Sequence, residues 1–393
     1  RDFFNSIVTQ IPLQAYNQAI SQVITPNNQV LLIQQQKKDG KNLPEKDAAL
    51  ALVNDVLSRQ YEAYADETIT DPLIETLPAK GSIKEVKEGK FGTTEFLLSN
   101  GVKVIVKPTD YKEDEILFQA FKYGGAALYP VSEANNVLLM GNAFQLSDMG
   151  NFNQKMINRY LTGKTVGLGY GVGQFSNYFQ GNSTVKDLPT LMELIYTAFT
   201  NINPNEETYN NFVARIIPQY EAAEKSPEFI FEQHKQNATY GNNPLTQVVT
   251  ADVIRGADYK RMLQLYKESV ANPSDYTFLF TGNVDVETIK PLLEQYISTL
   301  PLSAEQPKSF SFTPIENPEG QVVDNFTIGM SAPADWLYGF YSDDNLKATI
   351  ENEVKVSLVG DILGILYHDI LREKEGGVYS PQVGSTYNVS TGR

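Results

Sequence analysis

From Phe91 to Pro301 short apolar runs of two-residue period take turns with longer stretches of 3.6-residue period. A chain that switches period in this way folds as strands and helices packed in layers. The most explicit strand pair is "TTEFLLSNGVKVIVKPT", where Asn100-Gly101 sits between two apolar runs; this dipeptide readily takes the positive φ of a tight hairpin turn. The block continues with a strand in "DEILFQAFKYGG", helices in "EANNVLLMGNAFQLSDM" and "NFNQKMINRYLTG", strands through "KTVGLGYGVGQFSNYFQGNS" and a long helix in "DLPTLMELIYTAFT". The predicted fold class is therefore α/β, of the α+β sandwich kind, with antiparallel or mixed sheets covered by helices.

Composition fits a folded chain. With 393 residues, 41% of them hydrophobic and 20% charged, a sizeable core and two or three domains are expected. The 47 acidic and 32 basic residues leave a formal charge of -15. Such a field repels phosphate backbones, so nucleic acid is not an expected partner. The absence of cysteine removes disulfides and thiolate metal sites. No apolar run reaches the roughly 18 residues of a membrane span, and "RDFFNSIVTQ" lacks the order of a signal peptide. The first residue is not methionine and the last falls within "STYNVSTGR", an alternating, strand-like pattern, which leads us to expect a fragment of a longer protein.

Four segments are expected. Residues 1–61 read as helix, apolar strand "NNQVLLIQQQ" and helix "EKDAALALVNDVLSRQYEAY", the tail of a preceding α/β subdomain. Residues 62–90 mix charge, proline and glycine without sustained period and read as an extended linker. Residues 91–310 form the main domain, and residues 311–393 begin another, led by a strand in "QVVDNFTIGMSAP". The run from Tyr259 loosely repeats the opening order, Tyr16 matching Tyr266 and Pro26 matching Pro273, which suggests an internal duplication. "GKTVGLGYGVG" tempts a phosphate-loop reading, but strand-like alternation continues through its glycines and no helix opens at Gly163-Lys164-Thr165. These are read as strand or bulge glycines.

Near the end, Ile350, Val354, Leu358, Ile362, Leu366 and Ile370 recur at four-residue spacing. They predict a helix to about Glu375 that buries one stripe. Gly376-Gly377 supplies its left-handed stop, and Arg372 and Lys374 suit the negative end of its dipole. The glycines turn the chain back, so Tyr379 on the next extended segment can return towards Arg372. A cation and a phenol that converge at a surface are able to hold a carbonyl oxygen as negative charge develops on it. Helix capping with a half-buried strand tyrosine accounts for the same residues.

"LSNGVKVIVKP", "GNSTVKDLPTLMELIYTAFT", "YTFLFTGNVDVETIKPLLEQYISTLP" and "LREKEGGVYSP" together resemble the later part of an insulinase/pitrilysin-type zinc metallopeptidase, of bacterial type. The first three carry the fold and the last carries function. The resemblance implies repeated α/β subdomains in two halves that close around a peptide, with zinc held by an H-x-x-E-H motif in the first half. Residues 1–61 would then end the second subdomain, 91–310 form the third, which does not bind zinc, and 311–393 start the fourth. It further implies peptide hydrolysis by a zinc-polarised water. The zinc ligands would lie outside this chain, Arg372 would hold peptide backbone or carboxylate oxygens, and Tyr379 would donate to the tetrahedral oxyanion. The implied partners are a peptide substrate and the upstream zinc-binding half, the implied location the periplasm or cell envelope. The chain alone is expected to be inactive, because the helix at the zinc-motif position, "SEANNVLLMGNAFQLSDMG", has no histidine. The two histidines, His234 and His368, belong to no zinc motif and are not read as ligands. Two other classes remain: a non-catalytic peptide-binding or scaffold subunit of the same fold, and an unrelated α/β surface-binding module.

Overall fold

A computed structural model describes residues 6–8, 10–23, 30–34, 42–61, 69, 71–303, 315–330, 333–343, 346–347 and 349–387. The chain divides into two units, Arg1–Glu67 and Thr68–Arg393. In the first, α1 (Leu13–Val23) and α2 (Lys46–Ser58) form as expected. The apolar strand expected between them does not: residues 30–34 have no strand pairing, and Val30 and Leu32 are 94% and 83% exposed. A strand exists only through a hydrogen-bonded neighbour, and the described residues of this unit contain no other strand. Pro26, matched above to Pro273, lies outside the described residues, as do 62–68 and 70 of the linker, 304–314 of the boundary segment and the last six residues of "STYNVSTGR".

The second unit is built on a seven-stranded sheet. Its strands are β1 (Ile83–Glu88), β2 (Thr94–Leu98), β3 (Lys103–Pro108), β4 (Ile116–Tyr123), β6 (Val166–Val172), β7 (Ser176–Ser183) and β9 (Thr277–Gly282), in the order β1-β2-β3-β9-β4-β7-β6. A separate small pair joins β5 (Asp148–Met149) to β8 (Ile202–Asn203). Only the β3-β9 pairing is parallel, so the sheet is mixed, as the fold class requires. The presence of β1 corrects the linker expected over residues 62–90. "IKEVKE" carries no apolar alternation because its side chains at this sheet edge stay exposed, yet it pairs in register with β2, Val86 opposite Phe96.

The hairpin expected at Asn100-Gly101 is present. Gly101 takes φ +82°, its N–H donates to the Leu98 carbonyl at 2.9 Å, and the Leu98 N–H donates to the Val102 carbonyl at 3.0 Å. Asn100 also reaches beyond its own turn. Its Nδ2 donates to the carbonyls of Ile297 (2.8 Å) and Leu300 (3.1 Å), at the end of the helix that follows β9. The turn thus satisfies carbonyls that a helix end leaves orphaned. Asn100→Ala is expected to lower stability by about 1–3 kcal/mol in chemical denaturation; a loss below ~0.5 kcal/mol would mean that water replaces both bonds.

One face of the sheet packs on helices. Phe96, Val104, Ile116, Phe118, Phe179, Phe278 and Phe280 are buried there. Opposite them lie α3 (Ala134–Leu138), α4 (Met140–Leu146), α6 (Leu188–Thr200) and α10 (Tyr259–Val270). The short α5 (Gln154–Tyr160), α7 (Glu206–Ala223), α8 (Pro227–Tyr240) and α9 (Ala251–Arg255) connect them, and α11 (Val286–Leu292) follows β9. Asp258 caps α10 by accepting from the N–H groups of Lys260 and Arg261, which fixes where that amphipathic helix begins. Tyr170 and Tyr266 meet edge to face at 4.8 Å, and the Tyr266 hydroxyl donates to the Ala198 carbonyl at 2.6 Å.

Lys122 is the one buried lysine of this face, 8% exposed. Its Nζ donates to the Ser269 carbonyl and lies 5.2 Å from the centre of the Tyr276 ring. Burial pulls its pKa down to about 8, with Asp275 opposing the shift. The glycines of "VGLGYGV" lie in strand β6, which excludes a phosphate loop there. Beyond the sheet, residues 321–330 form no strand, against the expectation for "QVVDNFTIGMSAP". Phe326 instead stacks on His234 at 3.7 Å, so this apolar segment is fastened to α8 by side chains and not by a backbone ladder.

Candidate functional site

The helix carrying the predicted site residues is α12 (Ile350–Tyr367), which continues as a π-helical turn through His368–Lys374. Thr349 caps its start by accepting from the Asn352 N–H. It stops where expected: Gly376 takes φ +63°, and the N–H groups of Glu375 and Gly377 donate to the carbonyls of Ile370 and Leu371. The expected burial of one stripe is not seen. Ile350 is 80% exposed, and Val354, Leu358, Ile362, Leu366 and Ile370 are exposed too, as are Val359 and Ile365 on other sides. Four-residue spacing specifies a helix, but burial requires a partner surface, and the described residues place none over this stripe.

Arg372 and Tyr379 come together across the glycine turn. The guanidinium carbon lies 4.7 Å from the centre of the Tyr379 ring, a cation over an aromatic face. The convergence therefore runs through the ring and leaves the phenol oxygen aside. Among the described residues the Tyr379 hydroxyl has no hydrogen-bond partner, and the residue is 82% exposed. The guanidinium is held from the helix as well: Nη1 lies 3.0 Å from His368 Nε2, and Nε lies 3.5 Å from Glu373 Oε1. A guanidinium only donates, so His368 Nε2 accepts. A neighbouring ion pair, Lys374 to Asp369 at 2.8 Å, neutralises the rest of the turn.

His368 as a partner of Arg372 escaped the sequence reading. The signal was there in the i, i+4 spacing, which sets both on one helix face. The other histidine, His234, binds Asp324 through Nδ1 at 2.7 Å and lies far along the chain from this turn. No group of three or more His, Asp or Glu side chains able to hold a metal ion occurs among the described residues. The described residues do not fit a zinc site.

Comparison with known proteins shows what the chain is similar to. Residues 258–392 match the family described as the Peptidase M16 inactive domain. That stretch is similar to the inactive domain of M16 peptidases, and the curated relatives that the chain matches are described as zinc proteases. Among curated relatives it is 25% identical over 240 residues to a "Zinc protease PQQL-like" of Arabidopsis thaliana, covering 61% of this chain and 23% of that protein. It is 21% identical over 375 residues to the "Probable zinc protease PqqL" of Haemophilus influenzae, covering 95% of this chain and 40% of that protein. The chain thus spans well under half the length of these relatives. Its fold superposes on the periplasmic protease PqqL from Escherichia coli with a TM-score of 0.62 at 16% identity, over 86% of this chain and 37% of that one. No helix among the described residues is long and apolar enough to cross a membrane.

Proposed function

We propose that this chain is the substrate-clamping half of a zinc endopeptidase that hydrolyses peptide bonds, inactive until joined to a zinc-binding half. The observation that carries the reading is the Arg372-Tyr379 pair at the end of α12, a permanent cation fixed beside a phenol whose hydroxyl has no partner among the described residues. In this reading Arg372 holds backbone or carboxylate oxygens of the peptide. Tyr379 donates its hydroxyl proton in a hydrogen bond to the oxygen of the scissile carbonyl as that oxygen becomes an anion. His368 and Glu373 act through Arg372, by holding the guanidinium over the ring. The metal and its ligands belong to residues outside this sequence, so no step is assigned to them here.

The division into an end of a preceding subdomain (1–61), a linker that ends before β1, a third subdomain from β1 to about residue 310 and the start of a fourth belongs to the same proposal. So does a periplasmic location, supported by the likeness to a periplasmic protease.

The test is zinc content and cleavage of a quenched fluorescent peptide, measured on the chain alone and again with the upstream half added. The expected result is neither zinc nor cleavage alone and both after addition. Stoichiometric zinc or hydrolysis by the chain alone would overturn the reading. Neither zinc nor cleavage after addition, with no H-x-x-E-H motif in the upstream half, would select a non-catalytic peptide-binding or scaffold subunit of the same fold.

A further inference from the structure

The sheet face away from the helices carries a second feature that the Arg372-Tyr379 pair does not use. Its register draws one row across four strands: Gly169 opposite Gln180, Gln180 opposite Gln119, Gln119 opposite Leu279. Two residues along, the next row runs Gly167, Asn182, Leu117 and Thr281. The two rows line an open groove of about 670 Å³ with no charged side chain among its lining residues, in a chain of net charge -15. Among the described residues, the side-chain amides of Gln119, Gln180 and Asn182 have no hydrogen-bond partner.

The glycines of β6 differ in what keeps them small. At Gly171 a Cβ would lie 2.6 Å from the outer end of the Tyr178 ring, which would have to shift to admit it. At Gly167 it would stand 3.3 Å from the Asn182 side-chain oxygen. At Gly169 the nearest atom is the Gln180 carbonyl oxygen at 4.0 Å, an ordinary contact, and its φ is not in the left-handed region. Alanine would fit there without strain. Glycine inside a strand weakens it, and besides bulges and tight bends such a residue is found where a ligand or another backbone approaches closely.

We propose that this groove is a peptide-binding subsite for an extended, uncharged segment, whose backbone lies over Gly167 and Gly169 while Gln119, Gln180 and Asn182 bond its peptide groups. A carboxamide both donates and accepts, as a peptide group does, so three of them in adjacent rows match an extended chain without imposing sequence. A charged residue entering the groove would lose water and meet no counter-charge, which disfavours charged segments. The inference rests on the reading that the chain clamps peptide, and adds where and which kind.

The test is fluorescence anisotropy of the full chain with a labelled, end-capped peptide of Ser, Thr, Val and Gln. Gly169→Phe is expected to weaken binding at least about tenfold, and Gln180→Ala with Asn182→Ala about three- to tenfold. Gly169→Ala should stay within about threefold, and a peptide with Lys or Asp at its centre should bind at least about tenfold more weakly. Circular dichroism and the unfolding midpoint of each variant report whether it is folded. Absence of binding to the wild type up to about 1 mM, or wild-type binding by folded Gly169→Phe, overturns the subsite. Loss of binding only in Arg372→Ala or Tyr379→Phe also overturns it, since the peptide would then sit at the other site. A concentration-dependent dimer abolished by Gly169→Phe, with no peptide effect, would do the same and give the groove to a second copy. None of these outcomes decides the clamping reading, which stands or falls on cleavage with the upstream half.

Discussion

Phenylalanine in place of Tyr379 is expected to lower kcat on the order of 10- to 1,000-fold, the usual range for one lost oxyanion donor, when the chain is assayed with the zinc-binding half that the proposed function requires. The substitution removes one oxygen and nothing else. Tyr379 is 82% exposed, so its hydroxyl supports no packing, and the ring that remains can still lie under Arg372. An interaction made only in the transition state lowers kcat and kcat/KM together and leaves KM close to its starting value. Arg372→Ala should behave differently, because a guanidinium that holds substrate oxygens acts in the ground state as well, and KM should rise. Steady-state kinetics on the quenched peptide separate the two patterns. An unchanged kcat in Tyr379→Phe would remove the tyrosine from the chemistry.

Methionine in place of Lys122 stabilises the protein at neutral pH by on the order of 1–3 kcal/mol, and the advantage shrinks as pH rises. The lysine is buried, and desolvation lowers its pKa from 10.5 to about 8. Below pH 8 it is charged in both the folded and the unfolded chain, and the folded state bears the full cost of burying the ammonium. Between about 8 and 10.5 the unfolded chain holds the proton that the folded chain has released, so wild-type stability rises with pH through that window. The complete shift corresponds to roughly 3 kcal/mol, from which the bond to the Ser269 carbonyl and the contact with Tyr276 subtract. Methionine keeps the volume without the charge. The Ser269 carbonyl would retain the Tyr276 hydroxyl, which donates at 3.3 Å. Guanidinium denaturation of both proteins at pH 7 and pH 10 measures the difference; a gap that does not change with pH would mean that the ammonium keeps its water.

Most of the fold could be read before the structure because period and punctuation are local. "FLLSNGVKV" specifies its hairpin in nine residues, and the glycines after Glu375 stop α12 where a left-handed residue is needed. What escaped depended on distant partners. β1 reads as linker in sequence because an edge strand with exposed side chains has no apolar pattern to show. Residues 30–34 have that pattern and no neighbour, and the stripe on α12 has helical spacing and no cover among the described residues. The site divides in the same way. Arg372 and Tyr379 are set by a short turn and were legible, although their stacked geometry was not. The Gln119-Gln180-Gly169 row was hidden because it joins three strands whose order no local pattern announces.

The place of β9 between β3 and β4 governs the order in which this sheet can be built. Both neighbours leave the ribosome long before Thr277 does, so each presents an unpaired inner edge while α3 to α10 are being made. Contacts closed over so long a loop form slowly, and an apolar edge waiting for its strand invites pairing with other chains. A nascent chain that ends before Gly282 is therefore two unfinished half-sheets, and the last strand inserted also brings Phe278 and Phe280 to the centre of the core. The keystone arrives after the arch, and until β9 is made the two half-sheets are open to misassembly.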